Sequence, residues 1–326
     1  MTIQPLLKMG WLKHFSFIYL SIRLSFNFAH CLPWRPDLEQ IIVNGLYMGA
    51  QYALIALGLT LIFSLMNVLN FAHGQLYVIG GFMTYTVSVK LGMPYIVALI
   101  SAGVSLAIIG AILEKFLFRP VIKKSVREES TMLLAAGVAF FLDAAILLLF
   151  GEKQRGIPKI IDGVFNWDFI IIMPYDRILI GCLAVLIVIL FIAYMQYSKA
   201  GRAMRALAQD KVAAQLMGVN IDRYSMIGFA LAAMLAGVVG GLLVSITGVN
   251  LGMGGPTSIK AFMMVMIGGA GVIPGAIAGG FILGMMESVG LTVLSDFGDI
   301  TYLVIFASLM VFLALRPQGL MGKPWG

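Results

Sequence analysis

The sequence predicts an all-α polytopic membrane protein: a helical bundle of about 8–10 transmembrane segments, one of which is broken or re-entrant and rich in glycine. Of its 326 residues, 60% are hydrophobic and only 11% are charged, and the mean hydropathy is +0.98. Soluble domains carry about 25% charged residues, and a soluble protein this apolar could not cover its own surface. The 37 glycines indicate closely packed helices, because small residues let helix backbones approach within lipid.

The net charge of +7 does not indicate a nucleic-acid partner. The basic residues cluster in loops between apolar spans, as the positive-inside rule describes, and form no arginine-rich soluble patch. Cys31 and Cys182 lie far apart and lack metal-ligand spacing. We therefore expect no nucleic-acid partner, no disulfide framework and no metal site.

Apolar runs long enough to cross a bilayer recur along the chain. A membrane helix needs about 20 mostly apolar residues, and this length predicts spans near 40–64, 71–89, 94–117, 131–150, 178–197, 225–247 and 299–315. The remaining stretch, 258–292, is too long for one ordinary span. Its run of glycines from Gly268 to Gly275, which includes Gly271 and Pro274, predicts a short helix, a break and a longer helix.

The distribution of lysine and arginine predicts the orientation of these spans. The loops after the third and fifth spans are basic and therefore cytoplasmic, whereas 151–177, between them, lies outside. Counting spans from these loops places residues 30–39 outside, so the N-terminus lies in the cytoplasm if the apolar run before them is an extra span. Arg316 and Lys323 place the C-terminus in the cytoplasm. The basic loop residues are Lys115, Arg119, Lys123, Lys124 and Arg127, and then Lys199, Arg202, Arg205, Lys211 and Arg223.

The first 36 residues differ from the rest of the chain. Their apolar run, Phe15 to Ala29, is short and contains Arg23. A signal peptide, a weak extra span and a start codon upstream of the true one all fit this pattern. We interpret 1–36 as an N-terminal extension or weak extra span, and 37–322 as one membrane domain.

The chain carries no sequence motif for an energy source or for catalysis. It has no G-x-x-x-x-G-K-[ST] loop for nucleotide phosphates, no H-E-x-x-H, no G-x-S-x-G and no cluster of paired carboxylates. We therefore expect no enzymatic activity and no cofactor in this chain.

The basic loop at 201–218 is rich in alanine, leucine and methionine and predicts a short helix outside the membrane that stops at Gly218. Such a helix suits docking into a groove on another protein. An amphipathic helix lying on the membrane surface is the alternative.

Polar residues inside the spans are candidates for lining a translocation path. Asn67, Asn70, Gly74, Tyr77 and Gly81 recur at spacings of 3, 4, 3 and 4, which predicts one helical face. That face suits either a path lining or a hydrogen-bonded helix contact.

His73 lies one turn from Asn70, and a histidine in a membrane helix has either a functional or a structural role. Asp143 and Glu287 are carboxylates deep within apolar segments, so each needs a partner or a water-filled path.

Two further features involve the glycines. Non-helical backbone at membrane depth is tolerated only against protein or water, so we expect the break at Gly271 and Pro274 to lie beside the path or a gate. In contrast, the four-residue spacing of Ala233, Gly237 and Gly241 predicts a helix-packing face. The same spacing recurs at Ala276, Gly280 and Gly284.

A family resemblance adds to these predictions. Val212-Ala213-Ala214, followed by Gly218, resembles the E-A-A-x-x-x-G loop of ABC importer permeases, although Val212 replaces the glutamate. Over roughly 38–322 the chain resembles the LivH-type permease subunits of bacterial branched-chain amino acid ABC transporters. The blocks that carry this resemblance are Asn44-Gly45, Leu57 to Phe63, Asn70-Phe71-Ala72-His73-Gly74, Gly201-Arg202, Gly268-Gly269-x-Gly271-x-x-Pro274-Gly275-Ala276 and Leu315-Arg316-Pro317-x-Gly319-Leu320.

The resemblance implies a permease that pairs with a second, related permease, two cytoplasmic ATPase subunits and an extracytoplasmic binding protein for leucine, isoleucine or valine. The ATPases would contact the coupling loop, whose candidate residues are Gly201, Arg202, Arg205, Asp210, Ala213, Ala214 and Gly218. Relatives that carry urea, short-chain amides or other amino acids resemble this sequence too, so the cargo stays open. An ion-coupled secondary transporter is the alternative from another class.

Overall fold

The computed structural model describes residues 35–124, 129–167, 171–293 and 299–322. The predicted extension lies outside these residues except for Arg35 and Pro36, which begin the first helix. The helices are α1 (Arg35–Met66), α2 (His73–Tyr85), α3 (Tyr95–Leu113), α4 (Arg119–Lys124), α5 (Glu129–Phe150), α6 (Tyr175–Tyr197), α7 (Lys199–Gln209), α8 (Lys211–Leu216), α9 (Ile221–Leu243), α10 (Gly254–Gly268), α11 (Ile273–Val293) and α12 (Asp299–Leu315).

The predicted all-α membrane bundle is confirmed. In the described part of the chain, six helical segments are long and apolar enough to cross a membrane: α1, α3 with α4, α5, α6, α9 and α11. The shorter helices α2, α10 and α12 complete the bundle. A π-helical turn, Glu114–Phe118, joins α3 to α4, and another, Thr86–Lys90, extends α2. The predicted break in the glycine-rich segment is confirmed, since α10 ends at Gly268 and α11 begins at Ile273.

The helices divide into a buried centre and an exposed periphery. The most apolar window of α1 is 78% buried and that of α9 is 61% buried, whereas the windows of α5 and α6 are only 22% and 28% buried. The outer helices expose large apolar side chains such as Leu148, which is 86% exposed. In a membrane protein such side chains face lipid or a partner subunit.

Glycines hold the central helices together at very short range. A Cβ atom built on Gly280 of α11 would lie 2.5 Å from the backbone nitrogen of Ala53 in α1, and one on Gly284 would lie 2.5 Å from that of Gly49. One on Gly237 of α9 would lie 2.7 Å from the Leu106 side chain of α3. The predicted packing faces are therefore confirmed at these glycines.

The predicted single helical face that begins at Asn67 and Asn70 is wrong. Helix α1 ends at Met66, Asn67 has a left-handed φ of 56°, and α2 begins only at His73. Asn67 caps α1, because its N–H bonds the Phe63 carbonyl at 2.8 Å. The Asn70 side chain accepts the N–H of Ala72 at 3.1 Å, a local hydrogen bond that competes with helix formation.

The bundle has two chemically distinct ends. We call the end that holds α4, α7 and α8 the basic end. At the opposite end, β1 (Val164–Trp167) and β2 (Ile171–Pro174) pair as an antiparallel hairpin within the predicted outside loop. Near them, Arg155 and Val249 exchange backbone hydrogen bonds of 2.9 and 2.7 Å. We call this second end the hairpin end.

Candidate translocation site

A polar cavity of about 640 Å³ lies among the central helices toward the hairpin end. It is lined by residues of α1, α2, α6, α9, α10, α11 and α12 and by the connection between α9 and α10. Its polar lining consists of Asn44, Tyr47, Gln51, Tyr52, Tyr77, Arg177, Thr247, Asn250, Thr257, Lys260, Glu287 and Tyr302. A cavity with this lining can hold a polar solute within an otherwise apolar bundle.

An ion pair lies in the wall of this cavity. The Lys260 ammonium of α10 donates to Glu287 Oε1 of α11 at 2.7 Å and to the Tyr52 hydroxyl of α1 at 3.0 Å. Tyr52 donates to Glu287 Oε2, and Tyr302 of α12 donates to Oε1 at 3.2 Å. The Glu287 side chain is only 5% exposed and that of Lys260 is 26% exposed. A carboxylate this deeply buried requires such partners.

Of the residues predicted to line a path, Glu287 and Tyr77 line this cavity, and the others do not. His73 is fully buried and its Nε2 lies 3.2 Å from the Ile55 carbonyl of α1. Gly74 donates its N–H to the Ser258 hydroxyl of α10 at 2.9 Å. Asn70 is buried in the break before α2, and Asn67 is exposed at the end of α1. These contacts fit the helix seam that the sequence left open beside the path interpretation.

The break at Gly271 and Pro274 lies level with the last turns of α1. A Cβ atom on Gly271 would lie 3.6 Å from the Phe63 ring. The segment after α12 is hydrogen-bonded to the end of α10, next to the break. The N–H groups of Leu320 and Met321 donate to the carbonyls of Ile267 and Gly268 at 2.9 and 3.1 Å. This contact satisfies carbonyls that α10 leaves open at its end.

We expect leucine at Gly271 to abolish substrate uptake while the bundle still assembles. Gly271 has a φ of 80°, which a side chain adopts only with strain, yet the nearest atoms leave room for a Cβ. The strain should therefore shift the break without clashing with the core. The measurement is substrate uptake by proteoliposomes that contain this chain with its partner subunits, with size-exclusion chromatography as the assembly check. A Gly255→Leu variant is the control, since a Cβ there meets nothing within 4 Å; unchanged uptake by Gly271→Leu would contradict the prediction.

The predicted coupling loop forms two short helices instead of one. Asp210 divides them, because its Oδ1 accepts the N–H groups of Val212 and Ala213 at 2.8 and 3.0 Å and so caps α8. The predicted stop at Gly218 is confirmed by its φ of 84°. The N–H of Val219 bonds the Ala214 carbonyl at 3.0 Å, which completes the C-terminal cap.

The first part of the loop is held tightly against α6. A Cβ atom on Gly201 would lie 2.4 Å from the Met195 carbonyl, so only glycine allows this sharp corner. Arg202 and Arg205 donate to the carbonyls of Tyr197 and Gln196 at 3.2 and 3.3 Å. Both arginines thus stabilise the C-terminal end of α6.

Helix α8 leaves its apolar side chains uncovered. Val212 is 69% exposed, Leu216 is 84% exposed and Met217 is 85% exposed, whereas Ala214 is buried against the bundle. Exposed apolar side chains beside polar ones indicate an interaction surface. We call Val212, Leu216 and Met217 the α8 surface.

An ion-pair cluster joins α4 to the start of α9 beside this loop. Arg119 forms two hydrogen bonds with the buried Glu114, of 3.1 and 2.6 Å, and also donates to the Asp222 carbonyl at 3.0 Å. Lys123 donates to the Asp222 carboxylate at 2.5 Å. These contacts link the start of α9, which follows the loop at 198–220, to the membrane segment formed by α3 and α4.

The sequence analysis missed three members of the buried polar cluster: Tyr52, Lys260 and Tyr302. Lys260 carried a usable signal, because a lysine within a predicted membrane segment needs an acidic partner and Glu287 lies within the same segment. The two tyrosines carried none, since tyrosine is common in membrane proteins and its partners here come from distant helices. In the described residues, no group of three or more His, Cys, Asp or Glu side chains could hold a metal ion.

A multi-pass helical bundle, a buried ion pair in a polar cavity and an exposed apolar loop helix together define a membrane transport subunit. The family model described as "Branched-chain amino acid transport system / permease component" matches residues 41–313. The chain belongs to this family.

Individual relatives agree with this assignment. The chain is 33% identical to the high-affinity branched-chain amino acid transport system permease protein BraD of Pseudomonas aeruginosa, over 87% of this chain and 96% of the relative. It is 33% identical, with the same coverage, to the permease protein LivH of Escherichia coli K12. It is 24% identical to LivM of that bacterium, over 83% of this chain and 67% of the relative.

Proposed function

We propose that this chain is the transmembrane permease subunit of a bacterial ABC importer and forms part of the translocation path for leucine, isoleucine and valine. The observation that carries the proposal is the family match over 41–313, since the relatives named above are permease proteins of branched-chain amino acid transport systems. The cavity at the hairpin end and the α8 surface at the basic end support it as an entry side and a coupling side.

The proposal includes the partners and the location of the subunit. A second, related permease completes the path, and two ATPase subunits drive it from the cytoplasm, one of them bound to the coupling loop of this chain. An extracytoplasmic protein delivers the amino acid. ATP hydrolysis takes place in the ATPase subunits, and this chain supplies neither a catalytic group nor a cofactor. The subunit resides in the inner membrane with its C-terminus in the cytoplasm, an orientation that rests on the lysines and arginines of the basic end. Because Gln40 near the start of α1 contacts the hairpin, a cytoplasmic N-terminus requires the extra span suggested by the sequence before α1.

ATP-driven closure of the ATPase pair would move the coupling loop, which comprises α7 and α8. Because the Arg119–Asp222 contacts join the start of α9 to α4, that movement would reach two membrane segments together. Rocking of packed helices about the central α1–α11 contact then alternates the opening of the cavity between the two sides.

The test is ATP-dependent uptake of radiolabelled leucine into vesicles that contain this chain and its neighbouring subunits, with urea and acetamide as competitors. We expect saturable uptake that requires every subunit and that neither competitor reduces. Competition by urea or acetamide would keep the ABC assignment and change the cargo. Leucine uptake by this chain alone, driven by an ion gradient without ATP, would overturn the assignment.

A further inference from the structure

A second cavity lies on the other side of the buried ion pair. It has a volume of about 470 Å³ and lies between α10, α11 and α12. It shares Pro256, Lys260, Glu287 and Tyr302 with the polar cavity, and the rest of its lining is apolar. That apolar lining consists of Ile259, Met263, Leu283, Ile305 and Phe306. We call it the apolar pocket. The Lys260–Glu287 pair therefore lies between the polar cavity and the apolar pocket.

The pair is built as a site for an organic ammonium group. The Lys260 nitrogen lies 5.3 Å from the ring centre of Tyr52 and 5.1 Å from that of Tyr302. The Glu287 carboxylate completes the enclosure, with Oε1 only 2.7 Å from the same nitrogen. A carboxylate together with aromatic ring faces is the arrangement that binds alkylammonium ligands. In this structure the ammonium group of Lys260 itself lies against the Glu287 carboxylate and the two tyrosine rings.

An α-amino acid carries the same two charges as this pair. Its ammonium could replace that of Lys260 against Glu287 and the two rings, while its carboxylate accepts hydrogen bonds from the released lysine. After this exchange every buried charge still has a partner of opposite sign. An unpaired charge in a low-dielectric interior would cost several kcal/mol. An uncharged solute such as urea would have to separate the pair without supplying either charge.

The walls of the apolar pocket match the rest of such a substrate. A branched aliphatic side chain that entered beside the pair would contact Ile259, Leu283 and Ile305 and be removed from water. A polar side chain would lose its hydration there without compensation, because the polar groups of the lining are already those of the ion-pair cluster.

We propose that Lys260, Glu287, Tyr52 and Tyr302 form a binding site for the zwitterionic head of an aliphatic α-amino acid, and that the apolar pocket holds its side chain. This inference deepens the proposed function and rests on it for the identity of the cargo. It assigns a selective site to the permease itself, in addition to any selection by the binding protein.

The first test uses the complete transporter in proteoliposomes. The double variant Lys260→Met/Glu287→Met replaces the pair with apolar side chains, a change that a purely structural ion pair tolerates. We expect all subunits of the complex to co-purify as one species in size-exclusion chromatography, and leucine uptake to fall by more than about tenfold. The control, Gln75→Leu/Asp143→Leu, removes a partly buried polar contact of 3.0 Å outside both cavities and should leave uptake unchanged. Uptake by the Lys260→Met/Glu287→Met complex equal to that of the wild type would overturn the proposal.

The second test measures occupancy of the site without requiring transport. In a chain with Cys31→Ser and Cys182→Ser, the variant Ile259→Cys places a thiol at the apolar pocket, where Ile259 is 49% exposed. We expect leucine to slow the reaction of this thiol with N-ethylmaleimide, and urea to have no effect. The protection should disappear when Lys260→Met/Glu287→Met is added.

The two tests separate the two proposals. If leucine protects the thiol but the wild-type complex shows no ATP-dependent leucine uptake, the proposed function is wrong and the site stands. If the wild-type complex takes up leucine but leucine gives no protection, the site is wrong and the proposed function stands. Equal protection by urea and leucine would also overturn the site, because the pair then does not select a zwitterion.

Discussion

Replacing Gly240 by leucine is expected to prevent assembly of the bundle. A Cβ atom at this position would lie 1.9 Å from the backbone carbonyl oxygen of Tyr77 and 2.9 Å from the nitrogen of Gly81. Both atoms belong to the backbone of α2, so no side-chain rotation relieves the overlap and α9 must separate from α2. The expected destabilisation exceeds the about 1–3 kcal/mol that is typical of overpacking a core with a larger side chain.

Fluorescence-detected size-exclusion chromatography after stepwise heating of the detergent-solubilised protein measures this effect. The matched control is Gly137→Leu in α5, where a Cβ meets nothing within 4 Å. We expect the control to keep the wild-type melting temperature or to exceed it, because leucine favours a helix over glycine by up to about 1 kcal/mol. A Gly240→Leu protein that melted like the wild type would show that α9 and α2 do not pack as described.

The double substitution Leu216→Asp/Met217→Asp is expected to abolish ATP-driven uptake without unfolding the subunit. Leu216 is 84% exposed and Met217 is 85% exposed, so the bundle loses little packing and its stability should change by less than about 0.5 kcal/mol. If the α8 surface fills a groove on the ATPase subunit, each carboxylate places a charge in an apolar contact. Loss of one such anchor weakens an interface by about 2 kcal/mol or more.

Co-purification with the ATPase subunits is the direct measurement, and leucine uptake by the complete complex is the functional one. Val164→Asp is the control, because Val164 is 52% exposed and lies in the hairpin at the opposite end. This control should retain the ATPase subunits. If the Leu216→Asp/Met217→Asp subunit also retains them but binds membranes less well on its own, α8 lies on the lipid surface and is not the docking helix.

Much of the fold was predictable from local sequence. The spans predicted near 131–150 and 299–315 match α5 and α12 closely, because the length of an apolar run is visible without knowledge of its neighbours. The break between α10 and α11 was also predictable, since glycines and a proline interrupt a helix wherever it packs. The cap at Gly218 follows from the same local chemistry.

The errors occurred where a local hydrogen bond or a distant contact competes with periodicity. Asn70 bonds the N–H of Ala72 and delays the start of α2, a choice that the spacing of polar residues cannot show. Asp210 divides the coupling loop in the same way, by capping a second helix within a run of helix-favouring residues. The hydrogen bond from Leu320 to Ile267 joins the segment after α12 to the end of α10, and no sequence pattern predicts this contact.

The sequence by itself determined that this chain spans a membrane, where most of its helices begin and end, and which family it resembles. These properties depend on the local sequence, so they can be predicted without knowing which helices are in contact. Only the tertiary structure decided that Lys260 and Glu287, 27 residues apart, share one site with Tyr52, which lies 235 residues before Glu287. That decision rests on glycine contacts that bring α1, α10 and α11 together, because an ion pair depends on distances across helices and those distances exist only after packing.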